Sequence, residues 1–104
     1  MNRRTFYLTV ALLTTISSAA HANRVLAEKN GCLGCHAIAN KLVGPAYQDV
    51  AAKYAGQSDA KEKLVQSIRS GSVGKWGEVP MPAQAKLSEA DAKKLATWIL
   101  GGAK

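Results

Sequence analysis

Cys32-Leu33-Gly34-Cys35-His36 is the stretch on which the fold of this chain turns. Two thiols stand three residues apart, so that one helical turn presents both on the same side, and an imidazole follows at once. Three chemistries use such a pair. A redox disulfide of the thioredoxin kind needs a βαβ framework around it. Structural zinc needs four Cys or His ligands. A covalently attached c-type haem takes one thioether from each cysteine to a vinyl group, and the adjacent histidine then faces the iron. What surrounds the motif decides among them.

Upstream, Arg3 and Arg4 precede an 11-residue apolar run, Phe6–Ile16, and the small, polar Ser17–Ala22 follows. Ala20-His21-Ala22 completes the pattern as an A-x-A cleavage site, so residues 1–22 read as a secretory signal peptide and 23–104 as one mature domain. The run is too short to span a bilayer, which takes about 20 residues. Asn2-Arg3-Arg4-Thr5-Phe6 also has the outline of a twin-arginine signal, and either export route ends in the periplasm. Arg3 and Arg4 leave with the leader, so the 14 Lys+Arg of the whole chain become 12 against 7 Asp+Glu, a net +5. The mature chain keeps one histidine, His36, one methionine, Met81, and the two cysteines of the motif. Cys32, Cys35 and His36 alone do not make a structural zinc site.

Downstream, the pattern is helical. Asn23 caps a helix over Arg24–Asn30, which Gly31 stops. Gly44-Pro45 opens a second over Ala46–Ala55, since proline suits a first helical position, and Gly56 ends it. Ser58 caps a third over Asp59–Ser70, with acidic Asp59 and Glu62 in the first turn, Arg69 in the last and Leu64, Val65 and Ile68 along its apolar stripe. Ser88-Glu89-Ala90-Asp91 is a capping box with Asp in place of Glu, and it opens Glu89–Leu100. No stretch alternates long enough for a strand, so the expected class is all-α, with about four short helices. Without a βαβ framework the redox disulfide loses its setting. The covalent haem remains.

Composition agrees. With 47% hydrophobic and 20% charged residues the chain is neither disordered, nor collagenous, nor a membrane bundle. A domain this small buries only roughly 60% of its unfolded surface. Its large aromatics are Tyr47, Tyr54, Trp76 and Trp98, so a prosthetic group is expected to fill part of the interior.

Gly71–Leu87 joins the third and last helices through 17 residues that include three Gly and two Pro. A loop that long in a compact domain is usually functional. It contains Trp76 and Pro80-Met81-Pro82. Methionine is commonly a flexible core filler. Here it is the sole mature methionine, 45 residues past His36, and prolines on both sides restrict the backbone. Met81 is therefore the expected sixth iron ligand opposite His36, and a thioether donor favours ferrous iron and raises the potential.

At this point the chain resembles the small bacterial class I cytochromes c, of the cytochrome c-551/c-552 type. The likeness covers essentially all of Asn23–Lys104 and rests on Gly31-Cys32-x-x-Cys35-His36, Val43-Gly44-Pro45-Ala46-Tyr47, Gly74-x-Trp76-Gly77, Pro80-Met81-Pro82 and the Trp98-containing final helix. The resemblance implies that Pro45 lies behind His36 while the carbonyl of Gly44 or a nearby residue accepts the imidazole N–H, which makes the ring a better donor. It implies that Trp76 donates its indole N–H to a haem propionate; Trp98 is expected in the core. Relatives usually follow the ligand methionine with Pro-Pro-Asn, whose amide reaches the sulfur. Here Pro82-Ala83-Gln84 follows, so Gln84 takes that role through one extra methylene. Many relatives carry Arg or Lys, a propionate partner, where Ser67 stands, and Ser67 brings no charge. One residue is added before Ser88.

The function that follows is electron transfer by one haem c and its iron, with no substrate transformed. The resemblance implies a periplasmic monomer that shuttles electrons from a cytochrome bc-type donor to a nitrite reductase or terminal oxidase. Lys29, Lys41, Lys75, Lys86, Lys93 and Lys94 are read either as a solvated surface or as a basic rim around the exposed haem edge that steers acidic redox partners. Basicity alone would also suit nucleic acid, but no DNA-binding motif or aromatic–basic interleaving accompanies it. A gas-binding cytochrome of the four-helix c-prime type carries C-x-x-C-H near its C-terminus and lacks the methionine, the reverse of this chain.

Overall fold

Ser88 opens the helix around which the rest of the chain is arranged. Its hydroxyl accepts the Asp91 N–H at 3.1 Å, and Glu89 and Asp91 place negative charge at the helix N-terminus, where the dipole favours it. The helix runs Glu89–Leu100, as its sequence predicts. The protein is described by a computed structural model over residues 18–104 and Ala11. Its elements are α1 (Ser18–Lys29), a 3-10 turn (Cys32–Gly34), α2 (Tyr47–Tyr54), α3 (Ala60–Ser70) and α4 (Glu89–Leu100). Among the described residues there is no strand, and the fold is all-α with four helices. The one β-bridge described pairs Ser72 with Met81.

α4 is the hub, packed against α1, α2 and α3. It buries Ala92, Leu95, Ala96, Trp98 and Ile99. Ala27 on α1 and Ala92 and Ala96 on α4 have no exposed surface, and such small side chains let two helix backbones approach closely. Trp98 is a core residue, as expected. It meets Tyr47 edge-on at 5.5 Å and donates its indole N–H to the Lys104 carbonyl at 3.2 Å. The ion pairs along α4, Lys93–Glu89 and Lys94–Asp91, are exposed and contribute little.

Three helix starts differ from expectation, each for a local reason. α1 begins at Ser18 rather than after Asn23. Ala19, Ala20 and Ala22 are strong helix formers, so in the full chain nothing stops the helix at Asn23. The stop at Gly31 is as expected, at φ 74°, a left-handed conformation that glycine adopts without strain. α2 begins at Tyr47 because Pro45 and Ala46 stay outside it. The Tyr47 and Gln48 N–H groups, which have no partner within the helix, donate to the Ala37 and Ile38 carbonyls at 2.9 and 3.0 Å. α3 starts at Ala60, one residue late, and Ser58 does not cap it. The Ala60 N–H turns back to the Gln57 carbonyl at 3.3 Å, and Asp59 instead pairs with Lys63 at 3.3 Å.

The leader expected at residues 1–22 lies mostly outside the described residues. Among those described, no helix is long and apolar enough to cross a membrane.

Candidate cofactor pocket

The 3-10 turn brings the motif onto one surface. The Cys35 and His36 N–H groups both donate to the Cys32 carbonyl, at 3.2 and 2.9 Å. This single tight turn directs Cys32, half-buried, and Cys35, exposed, into the same cavity as His36. Both thiols are free. Burial pushes the Cys32 thiol above its ordinary value, with a hydrogen bond to Tyr47 working against it. An activated redox thiol shifts the other way.

His36 is held on three sides. Its Nδ1 lies 2.7 Å from the Pro45 carbonyl, which can only accept, so Nδ1 carries the proton and the Nε2 lone pair is left free. The acceptor is therefore Pro45 itself, not Gly44. Tyr47 stacks on the imidazole at 5.0 Å with only 16° between the rings. On the remaining side lies Gly44, whose N–H donates to the Cys35 carbonyl at 2.7 Å. A Cβ at position 44 would stand 2.8 Å from Nδ1 and 2.9 Å from Nε2. Gly44→Ala is expected to tilt the imidazole and cost about 1–3 kcal/mol, as overpacking does. Thermal melting and the visible spectrum of the haem-loaded protein measure this, and an unchanged Tm would mean that the 37–46 loop yields instead.

Met81 is fixed by its backbone. Its N–H donates to the Ser72 carbonyl at 2.9 Å, and its carbonyl accepts from the Ser72 N–H at 3.1 Å. Pro80 and Pro82 have no N–H to offer. Gly71, the residue that follows α3, contributes too. At φ 78° it lets the chain turn so tightly that a Cβ there would lie 2.7 Å from the Met81 carbonyl oxygen. Beyond Met81, the Gln84 N–H donates to the Ile68 carbonyl at 2.9 Å and ties the segment to α3. The Gln84 amide nitrogen donates to the Pro82 carbonyl at 3.2 Å.

Trp76, 38% exposed, is held by Lys53, whose ammonium sits 4.3 Å from its ring centroid. Lys53 also donates to the Lys75 carbonyl at 2.9 Å. Lys75 in turn reaches the Ser67 hydroxyl at 3.0 Å. The contacts that Gly71, Tyr47, Lys53 and Lys75 make at the pocket are not legible in the sequence. A positive φ, a ring stack and contacts eight and 22 residues apart leave no local sequence signal.

All of these segments line one cavity of about 250 Å³ that is partly open to solvent. Cys32, Cys35, His36, Pro45, Trp76, Met81 and Gln84 line it together. Its inner wall is apolar, from Val50, Tyr54, Leu64, Ile68, Leu95 and Ile99 on three helices. No group of three or more His, Cys, Asp or Glu side chains among the described residues is arranged to hold a bare metal ion. An apolar cleft with two thiols, one imidazole and one thioether fits a flat, covalently anchored iron porphyrin. The glycine at position 44 fits it too, because a Cβ there would crowd the imidazole at 2.9 Å from Nε2.

These features define a c-type haem protein built on four helices, and the chain belongs to the cytochrome c family. The sequence pattern of that family, cytochrome c, matches residues 20–103. The chain is 52% identical to cytochrome c-551 of Allochromatium vinosum over 84% of its length and 93% of that protein. It is 48% identical to cytochrome c-551 of Pseudomonas aeruginosa, over 90% and 94%. The crystal structure of wild-type Nitrosomonas europaea cytochrome c552 superposes with a TM-score of 0.73 at 51% identity, over 75% of this chain and 96% of that one. The protein is thus a small electron carrier with covalently attached haem c, not an enzyme, and its partners are other redox proteins.

Proposed function

We propose that this chain is a periplasmic one-electron carrier in which His36 Nε2 and the Met81 sulfur would ligate the haem iron and Cys32 and Cys35 would form the two thioethers. The observation that carries the reading is the single cavity onto which all four side chains open. When bound, the haem supplies a reversible one-electron iron couple. The rest is done by the chain. Pro45 holds the imidazole proton on Nδ1, which orients Nε2 and strengthens it as a donor. The Ser72 pairing and the flanking prolines hold the Met81 thioether, whose softness favours the ferrous state. The apolar inner wall disfavours the additional charge of the ferric state.

Residues 1–22 act as the export signal, and cleavage leaves a monomer beginning at Asn23. It takes electrons from a cytochrome bc-type complex and delivers them to a nitrite reductase or terminal oxidase. The visible spectrum of periplasmically matured protein tests the ligation. Sharp α and β bands on reduction and a weak long-wavelength ferric band of sulfur–iron charge transfer are expected. Absence of that ferric band would remove Met81 from the iron. Intact mass gives the N-terminus.

Partner steering has its own test. Lys41 is exposed at the cavity, and Lys86 is exposed beyond the Met81 segment. Electron-transfer rate with an acidic partner is expected to fall with salt, because the Debye length shrinks from about 10 Å at 0.1 M to about 3 Å at 1 M. Reversing Lys41 or Lys86 is expected to slow association several-fold more than reversing Lys61 on α3, with turnover at saturation little changed. Equal losses at all three positions, or indifference to salt, would point to an apolar docking patch.

A further inference from the structure

We propose that Lys75, seated on Ser67, is the cationic partner of a haem propionate in this protein, an inference that rests on the haem-pocket reading above. Haem c presents two unlike edges. Cys32 and Cys35 would take the vinyl edge, which would leave the propionate edge to a different wall of the cavity. A carboxylate at the mouth of an apolar cleft needs a cation or strong hydrogen-bond donors. The wall that the motif does not build comes from α3 and the Gly71–Leu87 segment, and there the cavity offers Lys75.

Lys75 has features of a prepared anion partner. Lys75 is exposed at the cavity mouth, yet its ammonium turns back to the hydroxyl of Ser67, a residue only 8% exposed, at 3.0 Å. Ordering a lysine costs side-chain entropy, and a neutral hydroxyl is a weak return for it. Serine is not a counter-ion, and the ion pairs among the described residues leave Lys75 without a carboxylate. Two of its three N–H donors remain for an incoming anion. The backbone beneath it is anchored, since Lys53 on α2 holds the Lys75 carbonyl at 2.9 Å and covers the neighbouring Trp76. The cation is thus supplied by the loop. Ser67 is short enough to admit it and polar enough to hold it.

The test is the reduction potential as a function of pH. A propionate that loses its cation holds its proton to higher pH, and removing a positive charge near the iron favours the ferric state. Lys75→Met is therefore expected to lower the potential at alkaline pH. It is also expected to move the pH at which the potential steps upward by about one unit, tenfold in proton affinity. Lys75→Arg should restore both. Lys41 and Glu78 also line the cavity, Lys53 stands beside Trp76, and His36 bonds Pro45; all are unchanged in these variants, so a difference belongs to position 75. In Lys75→Met, Ser67→Arg returns a cation from α3 and should return the step, a rescue that repair of packing alone would not give.

A step and potential in Lys75→Met equal to wild type, with the ferric sulfur–iron band intact, would overturn the proposal while leaving the haem reading standing. So would failure of both Lys75→Arg and Ser67→Arg to restore a displaced step. Loss of covalent haem from the wild type would overturn the underlying reading, and the proposal with it.

Discussion

Cys32→Ala together with Cys35→Ala is expected to abolish covalent haem and leave a chain that is unfolded or degraded. The cavity is walled by α2, α3 and α4, so those helices meet partly through what fills it. At about 24 cal/mol per Å³, an emptied and sealed cavity of 250 Å³ would cost about 6 kcal/mol. Its open side lowers that figure, yet a small domain has only about 5–15 kcal/mol in total. Residual side-chain packing around Leu95, Trp98 and Ile99 does not offset such a loss in a chain without a disulfide. Haem staining after denaturing electrophoresis reads the attachment, and circular dichroism reads the fold. Recovery of an apoprotein with a wild-type melting profile would refute the idea that the haem completes the interior.

Met81→Ala is the second large effect. Loss of the thioether should lower the reduction potential by about 0.2 V, a part of the roughly 0.8 V over which axial ligands move haem iron. It should also open the iron, so that azide or cyanide binds at least about tenfold more tightly than to wild type, a change of 1.4 kcal/mol or more. Equal affinities would exclude Met81 as the ligand. Variants that act only on its position grade the effect. Gly71→Ala should weaken the sulfur–iron bond, because the new Cβ meets the Met81 carbonyl in a backbone conformation that alanine resists. Gln84→Ala should do less, since that amide contacts the Pro82 carbonyl.

Legibility in the sequence follows the range of the interaction involved. α4 was readable to the residue because a serine cap, two acidic side chains and a terminal glycine all act within one turn of the helix ends. Gly31 stopped α1 for the same reason. The starts of α1 and α3 were misplaced where local signals competed. Asn23 is a good cap but follows an alanine-rich run that is a better helix, and Ser58 lost to tight turns between α2 and α3. The C-x-x-C-H motif needs no tertiary knowledge, because its geometry is contained in one turn.

Other features were decided by folding. Which carbonyl receives the His36 proton depends on Pro45 staying outside α2, and that depends on the Tyr47 and Gln48 N–H groups finding the Ala37 and Ile38 carbonyls. The Ser72–Met81 pairing and the Gly71 approach depend on how a 17-residue segment closes on itself. The charge missing at Ser67 shows the division most clearly. By itself the sequence determined an all-α chain with two cysteines at haem-attachment spacing, two candidate iron ligands and no basic residue at position 67, because helix caps, periodicity and motif spacing are properties of neighbours along the chain. Only the tertiary structure put the ammonium of Lys75 on that serine, eight residues away and on a different segment, because a long flexible side chain takes its place from the packing of α2, α3 and the loop between α3 and α4.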